Sequence, residues 1–596
     1  MFVSLLRRCA FLTVVVLFVC CSALCANESA KHPAKQLVEE ALSREIYGLS
    51  GERSELLERA AKLSPSYAPA KWHRGLVRFN NRWMKADEVP ALMRESRWLK
   101  DYQRTRQQFP QTAQGQLALA NWCRDHKLPQ QERAHLNHVL DFDATNADAL
   151  WRLGFQPVDG RWVARSELQA SAERREQERV ALAKWQPRIE KILSGLMNRS
   201  RRPHERAERQ LREIDDAAAI PAMVRVLAGI EPRVARTVVE IISEIQDNRA
   251  TEALMQQAVY SKWSEVRDAA ARQLGLRQRE AYVPAMLAAM HTPFDTRMVS
   301  FRRHGRTTYL LSMTREGQDE KEQIVQRSAR PRPAGGEAIQ LENYRTRVIN
   351  ERTARALNLA TEQELDADPQ TWWNWWNEEN EVFVEGEKPT VALGETEQLA
   401  LVDRARELED ASRIRDAAER ARRAALIRQQ MSSAIEAADS RRRPQRSDCL
   451  AAGTVVWTIA GPVAVQDVQV GDFVLSQDPE TGELAYKPVL RTTVRPTSVL
   501  VKFKAGQETI EASGGHPLWV SGEGWIKARE LQVGMELHCT SGSARITSVE
   551  TGQNAETYNL VVADFNTYFI GQSKILNHDN TIREATGAIV PGLVER

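Results

Sequence analysis

At 596 residues the chain is longer than one hydrophobic core usually organises, so several domains are expected. Its 82 basic and 79 acidic residues leave a formal net charge of +3, which removes any chain-wide electrostatic argument for a nucleic-acid partner, and none is expected. Of its seven cysteines only Cys123, Cys449 and Cys539 lie beyond residue 26, too few for a disulfide framework and without zinc-ligand spacing, and neither a metal nor a cofactor is implied.

Residues 1–26 read as an export signal: Arg7 and Arg8, an apolar run from Phe11 to Val19, then small residues through Ala23 and Ala26. The expected location is periplasmic, secreted or at the cell surface. The uncharged stretch from Cys9 to Ala26 is also long enough to stay as a membrane anchor, which is the alternative. Removal of the signal takes Cys9, Cys20, Cys21 and Cys25 with it and leaves Cys123, Cys449 and Cys539.

Residues 27–200 are rich in Ala, Leu, Glu, Arg and Gln with apolar positions at helical spacing, so packed amphipathic helices are predicted. An internal repeat is visible: Ala68, Ala70, Trp72, Gly75, Arg82 and Trp83 recur as Ala147, Ala149, Trp151, Gly154, Arg161 and Trp162, 79 residues later. Each copy predicts a helix around its first Trp, a Gly near the helix end, and an Arg-Trp pair in a turn or short strand. Leu63 to Gly75 resembles the junction of two tetratricopeptide repeats, with Pro65 at a helix boundary, but the spacing is too long for tandem copies.

Over 201–292 a second periodicity appears, with Pro221-Ala222-Met223 recurring as Pro284-Ala285-Met286 and Glu252-Ala253-Leu254 between them. Val234 and Val266 keep step, and the region resembles HEAT-like helix pairs, each leaving an apolar face for its neighbour to cover. A scaffold of this kind implies an unidentified protein partner, by analogy of fold. Residues 293–395 form a mixed segment. A short β-hairpin is predicted between Met298 and Val325, and Trp372, Trp373, Trp375 and Trp376 suit either stacking on sugars or a partner, or one apolar helix face anchored on its neighbour. The helical spacing favours the anchor. Residues 396–447 read as a charged helix and linker ending in the basic run Arg441 to Arg446.

Beyond Ser447 the pattern changes to β-branched, period-2 segments punctuated by Gly, which predicts an all-β domain over 448–579 with a short tail, 580–596. The whole is thus a multidomain chain, mainly α-helical repeats in its first two thirds and all-β at its C-terminus. The β region opens Cys449-Leu450-Ala451-Ala452-Gly453-Thr454. There follow Val468 to Leu475, Gly514-Gly515-His516-Pro517-Leu518-Trp519, Gly524 to Ala528, Tyr558 to Val562, Asn566 to Gly571, and Leu576-Asn577-His578-Asp579. With these motifs in this order it resembles the Hint family shared by inteins, hedgehog C-terminal regions and bacterial pretoxin-processing modules.

The resemblance implies autoprocessing. A thiol attacking the preceding peptide carbonyl turns an amide into a more reactive thioester, here at Asp448-Cys449. The departing nitrogen needs a proton, and His is suited to supply it near neutral pH. Cys449 is the expected nucleophile and His516 the expected general acid. Ser513 stands where the family commonly has Thr, as a hydrogen-bonding group for the amide or the oxyanion. His578 and Asp579 form the candidate C-terminal pair. There the chain departs from the splicing pattern: Asp579 lacks the amide nitrogen that cyclises, Asn580 cannot accept an acyl group, and only residues 580–596 follow. Asn580 could cyclise if the register slips by one. The expected outcome is N-side cleavage or acyl transfer to water, a lipid hydroxyl or an amine, one turnover per chain. The alternative is an exported adaptor that binds proteins through its helical repeats and carries an inactive Hint module. Cys123 and Cys539 are expected to be buried small hydrophobes.

Overall fold

A computed structural model of the chain describes residues 33–594 apart from 159–160, 304–305, 317–320, 329–334, 380–381, 384–444, 447–448 and 582. The expected export signal, the charged helix and most of the basic run lie outside the described residues, as does Asp448. Among the described residues no helix is long and apolar enough to cross a membrane.

The chain divides into two compact units, and the division does not follow the sequence-based boundaries. One, the split unit, joins residues 1–138 to 446–582 and 586–596; the other, the inserted unit, comprises 139–445 with 583–585. Instead of one helical region over 27–200 followed by an independent β domain, the first helices share a fold with the β domain. The physical reason is burial. Val77, Val89, Met93, Leu99, Tyr102 and Leu119 pack in one core with Ile459, Leu475, Trp519, Phe569 and Leu576. Residues 580–596 are likewise more than a tail: a small hairpin of Ala588–Val590 and Leu593–Val594 puts Val590 into a core with Val38, Leu42 and Leu57.

In the split unit, helices Pro33–Ile46 and Ser50–Leu63 bury Ala34, Val38, Ala41 and Leu42 against Leu56, Leu57 and Ala60, the helical spacing of an apolar stripe. The first repeat copy follows as helix Ala68–Trp72 and a hairpin of Leu76–Phe79 with Arg82–Lys85. Its two-residue turn is Asn80-Asn81, both at positive φ, a conformation that Asn tolerates and that matches the twist of paired strands. The second copy, in the inserted unit, repeats the form: helix Ala147–Arg152, strands Phe155–Val158 and Arg161–Ala164. Gly75 and Gly154 both take positive φ and both accept a backbone bond closing the hairpin, from Ala86 and Arg165.

The β domain is one 12-stranded sheet. Two long strands, Leu484–Ala505 and Gly542–Val562, pair antiparallel from Val489↔Val562 to Ala505↔Ile546, with register shifts near 490, 496, 500 and 505 that bend the ladder. Short strands complete the sheet around a core of Val456, Val474, Phe503, Leu518, Leu537, Ile546 and Tyr568. This is the all-β domain expected.

In the inserted unit, helices from Arg165–Leu196 to Arg279–Ala289 share a core of Trp185, Ile189, Leu211, Val238, Ile242, Leu254 and Leu287. The recurring prolines are not equivalent. Pro221 opens helix Ile220–Val226, where its missing N–H costs nothing, whereas Pro284 lies inside Arg279–Ala289. The expected hairpin is a three-stranded antiparallel sheet, Asp295–Arg303, Arg306–Glu316 and Lys321–Ser328. Helix Pro369–Glu379 buries Trp372 and Trp373 in the helical core, and Trp372 donates its indole N–H to the carbonyl of Asp366 at 2.8 Å. Trp375 and Trp376 pack half-buried against the same core, the arrangement expected of an anchored helix face.

Candidate functional site

The site is built where the β domain begins. Strand Leu450–Ala451 is only two residues long and lies between two neighbours, with Leu450 opposite Ala512 on one side and Tyr558 on the other. That placement fixes Cys449, buried, against the end of strand Glu508–Ser513. Two reciprocal bonds hold it: the Ser513 N–H donates to the Cys449 carbonyl at 2.8 Å, and the Cys449 N–H donates to Ser513 Oγ at 2.9 Å. The second is the informative one, because the Cys449 nitrogen belongs to the Asp448–Cys449 peptide bond.

From Ser513 the chain turns tightly into His516, whose N–H donates to the Ser513 carbonyl at 3.0 Å. The turn is pinned from outside by hairpin Pro517–Val520 and Gly524–Lys527, which returns the N–H groups of Ala528 and Arg529 to the carbonyls of His516 and Gly514. The ring of His516 is fully buried, and its Nε2 lies 2.9 Å from Asn577 Oδ1. The other end of that amide donates to the Tyr568 carbonyl, so the oxygen must face the imidazole. Nε2 therefore carries a proton, and Nδ1 is the nitrogen left to take up or give up another. Asn577 lies in the closing sequence motif, where nothing local marks it as a partner of His516. Its position depends on the sheet pairing Leu518↔Asn577, which local sequence does not display.

Tyr568 joins the two ends of the domain. Its hydroxyl donates to Asn559 Oδ1 at 2.7 Å, and burial first, then the neighbouring Cys449 and Asp579, push its pKa well above the usual phenol value. Cys449 and Asp579 thus both act electrostatically on one buried phenol. Asp579 is wired differently from Cys449. Its Oδ2 accepts from the Val562 N–H at 2.7 Å, and its Oδ1 accepts from the Thr581 N–H at 2.9 Å and from the Thr581 hydroxyl. Its own N–H donates to the Asn566 carbonyl, and the next, of Asn580, donates to that of Leu560. His578 Nδ1 donates to the Asp579 carbonyl at 2.9 Å, and its ring lies edge to face with Trp525. The Asn580 side-chain amide bonds Thr493 Oγ1 at 3.3 Å.

The structure thus joins Cys449, Ser513, His516 and Asn577 in one chain of contacts, with His578 and Asp579 at its far end. Cys123 and Cys539 stand apart in hydrophobic cores, and burial pushes both thiols up, Cys123 to about 12, where no thiolate forms near neutral pH. No group of three or more His, Cys, Asp or Glu among the described residues is arranged to hold a metal ion.

Residues 455–582 match the family model of the pretoxin HINT domain. Among solved structures, an intein-like domain from Clostridium thermocellum is similar at 35% identity, over 22% of this chain and 98% of that one, with a TM-score of 0.22. The gp41-1 intein is similar at 26% identity, over 22% and 97%, with a TM-score of 0.19. A DnaB intein from Synechocystis sp. PCC 6803 shares 17% identity over 22% and 99%, with a TM-score of 0.21. No curated protein sequence is significantly similar to the chain.

Proposed function

Because its C-terminal domain belongs to the Hint family, which supports a general capacity for self-processing, we propose that this chain cuts its own backbone between Asp448 and Cys449 through a thioester. The observation that carries the proposal is the Ser513 hydroxyl 2.9 Å from the Cys449 nitrogen, the atom that must leave. In the first step the thiol proton passes to His516 Nδ1, and Cys449 Sγ bonds to the Asp448 carbonyl carbon. The C–N bond then breaks as that proton moves onto the nitrogen, which becomes the free amine of Cys449. Ser513 holds the nitrogen in place while this happens, and Asn577 keeps the proton on Nε2 so that Nδ1 does the transfer. In the second step water adds to the thioester, the C–S bond breaks, and the products are a carboxylate at Asp448 and the restored thiol. A lipid hydroxyl or an amine in place of water leaves an ester or amide on Asp448, and the mass of the N-terminal fragment identifies which.

Splicing is not part of the proposal. Three donors hold the Asp579 carboxylate toward Val562 and Thr581, and the Asn580 side chain is engaged by Thr493. The cut is proposed to occur in an exported protein, which the basic and apolar N-terminal sequence supports, with the helical units as a protein-binding scaffold.

The full chain, purified with and without dithiothreitol, tests the reading. A thiol-accelerated break giving fragments 1–448, or its signal-cleaved form, and 449–596 is expected. A chain that stays intact under both conditions, indistinguishable from Cys449→Ala, removes autoprocessing and leaves a scaffold with an inactive Hint module.

A further inference from the structure

We infer that a cut before Cys449 does not separate the products: residues 33–138 form a docking surface for the Hint domain, and the two fragments persist as a two-chain complex. The inference rests on the proposed cut for its biological setting but not for its test.

Three sets of contacts carry it, each joining residues more than 350 positions apart. At the first, Glu45 is fully buried. Its Oε2 accepts from Arg53 Nε at 2.8 Å, and its Oε1 accepts from Ser521 Oγ at 2.8 Å and from His538 Nδ1 at 2.5 Å. On the far side of the imidazole, Nε2 meets Gln477 Oε1 at 2.7 Å, and the Gln477 amide nitrogen donates to the Gly482 carbonyl, which fixes the amide orientation. Both ring nitrogens of His538 therefore donate. Burial alone would raise the Glu45 carboxyl, but His538 and Arg53 outweigh it and hold the group at about 2. Separating the surfaces keeps Arg53 on Glu45 but strips the carboxylate of Ser521 and His538 and leaves the buried imidazole without its carboxylate, which costs more than losing an exposed ion pair.

At the second, Arg106 Nη1 donates to Asp472 Oδ1 at 2.8 Å and to the Val470 carbonyl at 2.9 Å. Beside it, Gly471 sits under Tyr102 so closely that a Cβ would lie 1.8 Å from the phenol oxygen, so only glycine admits that ring. Gly482 and Gly522 repeat the arrangement, with a Cβ falling 2.7 Å from His73 Nε2 and 2.8 Å from Ile46 Cγ2. The third set is apolar and already described: the core in which Leu99, Tyr102 and Leu119 meet Trp519, Phe569 and Leu576. Buried charge, close backbone approach and a shared core together are the anatomy of an obligate interface rather than of two domains in passing contact.

The chain order makes the consequence specific. Residues 139–445 are an insertion in the split unit, joined to it covalently at both ends. A break at 448–449 frees one of those ends while the docked surfaces keep the other product in place. The cut changes a doubly tied segment into a singly tied one without releasing it.

The experiment uses the full chain in a Cys449→Ala background, with a site-specific protease sequence inserted near residue 420 and the clip made after folding. The two fragments are expected to elute together at the size of the intact chain and to separate only in denaturant. Arg106→Ala and Glu45→Ala are each expected to weaken the complex roughly thirtyfold or more, read as dissociation on dilution. Where Glu45→Ala fails to fold, Arg106→Ala carries the measurement. Fragments that elute separately after the clip overturn the inference, as does a complex unchanged by both substitutions. A chain that never cuts itself overturns the proposed function alone.

Discussion

The two ends of the Hint domain act electrostatically on the same buried phenol, yet they are held in opposite ways. At Cys449 the backbone nitrogen gives its one hydrogen bond to a side-chain hydroxyl, and the nearby imidazole is oriented by a single amide. At Asp579 the carboxylate accepts three bonds, and its own N–H and the next are tied to the carbonyls of Asn566 and Leu560. A side-chain partner can rearrange as a bond breaks; a backbone ladder cannot without loss of the sheet. One fold can therefore keep reactive geometry at its entrance while turning its exit into a clasp.

The largest expected effect breaks the entrance. Cys449→Ala should abolish the cut, seen as an intact chain by mass spectrometry after prolonged incubation with thiol. His516→Ala should slow it by about 10²–10⁴-fold, the range for loss of a positioned acid or base, and should also lower the thermal midpoint, because it leaves a cavity and the buried Asn577 oxygen unpaired. Asn577→Ala frees the imidazole to adopt the other tautomer, and a loss of about tenfold to a hundredfold is expected. A shift in the pH–rate profile, which a purely structural role would not move, separates the two explanations.

At the exit the expectation is reversed. Asp579→Asn exchanges one acceptor for a donor that cannot serve Val562 or Thr581. It should cost about 1–3 kcal/mol in denaturant unfolding and leave the rate of the N-side cut within about twofold. Appearance of a C-side break in that variant would show that the missing amide, and not the clasp, prevents that cut.

A pH effect sharpens the view that residues 33–138 belong with the Hint domain. Burial lowers His73 and His135 to about 3, with Arg53 and His538 facing His73, Glu45 acting in the opposite sense, and Arg106 and His138 facing His135. In the unfolded chain both protonate near 6.5. Between those values the unfolded state binds more protons, so stability is complete above about pH 6.5 and declines as pH falls toward 3, by up to about 2.8 kcal/mol per pH unit for the pair. Glu45, held at about 2, adds its own loss below about pH 4.5. Unfolding of the split unit should therefore track acidification from about pH 6 downward, and fluorescence of its buried Trp519 can report it.

Cys449, Ser513 and His516 were legible in the sequence because the ordered motifs around them are local: a strand start, a turn, a strand end. Asn577 and Tyr568 needed sheet register, and Glu45, Arg53 and Arg106 needed more. On their helices these three read as ordinary solvent-facing charges, since nothing within ten residues announces that Asp472 or His538 will cover them. The internal repeat was visible, and its two copies do share a helix and hairpin, but one belongs to each compact unit. Periodicity reports how a segment packs on its neighbours in sequence; it is silent about partners that arrive hundreds of residues later.

That delay has a kinetic side. The core around Tyr102 and Leu119 stays open until residues 459 to 588 have been made. At about 5–20 residues per second, synthesis of the roughly 470 residues after Leu119 takes on the order of 25–95 s. The N-terminal helices must spend that interval with an apolar face uncovered, and His516 meets Asn577 only after strand Ile575–His578 has joined the sheet. The turn that carries His516 is thus completed only after the last strands of the sheet have been made, and the proposed cut waits for the end of synthesis.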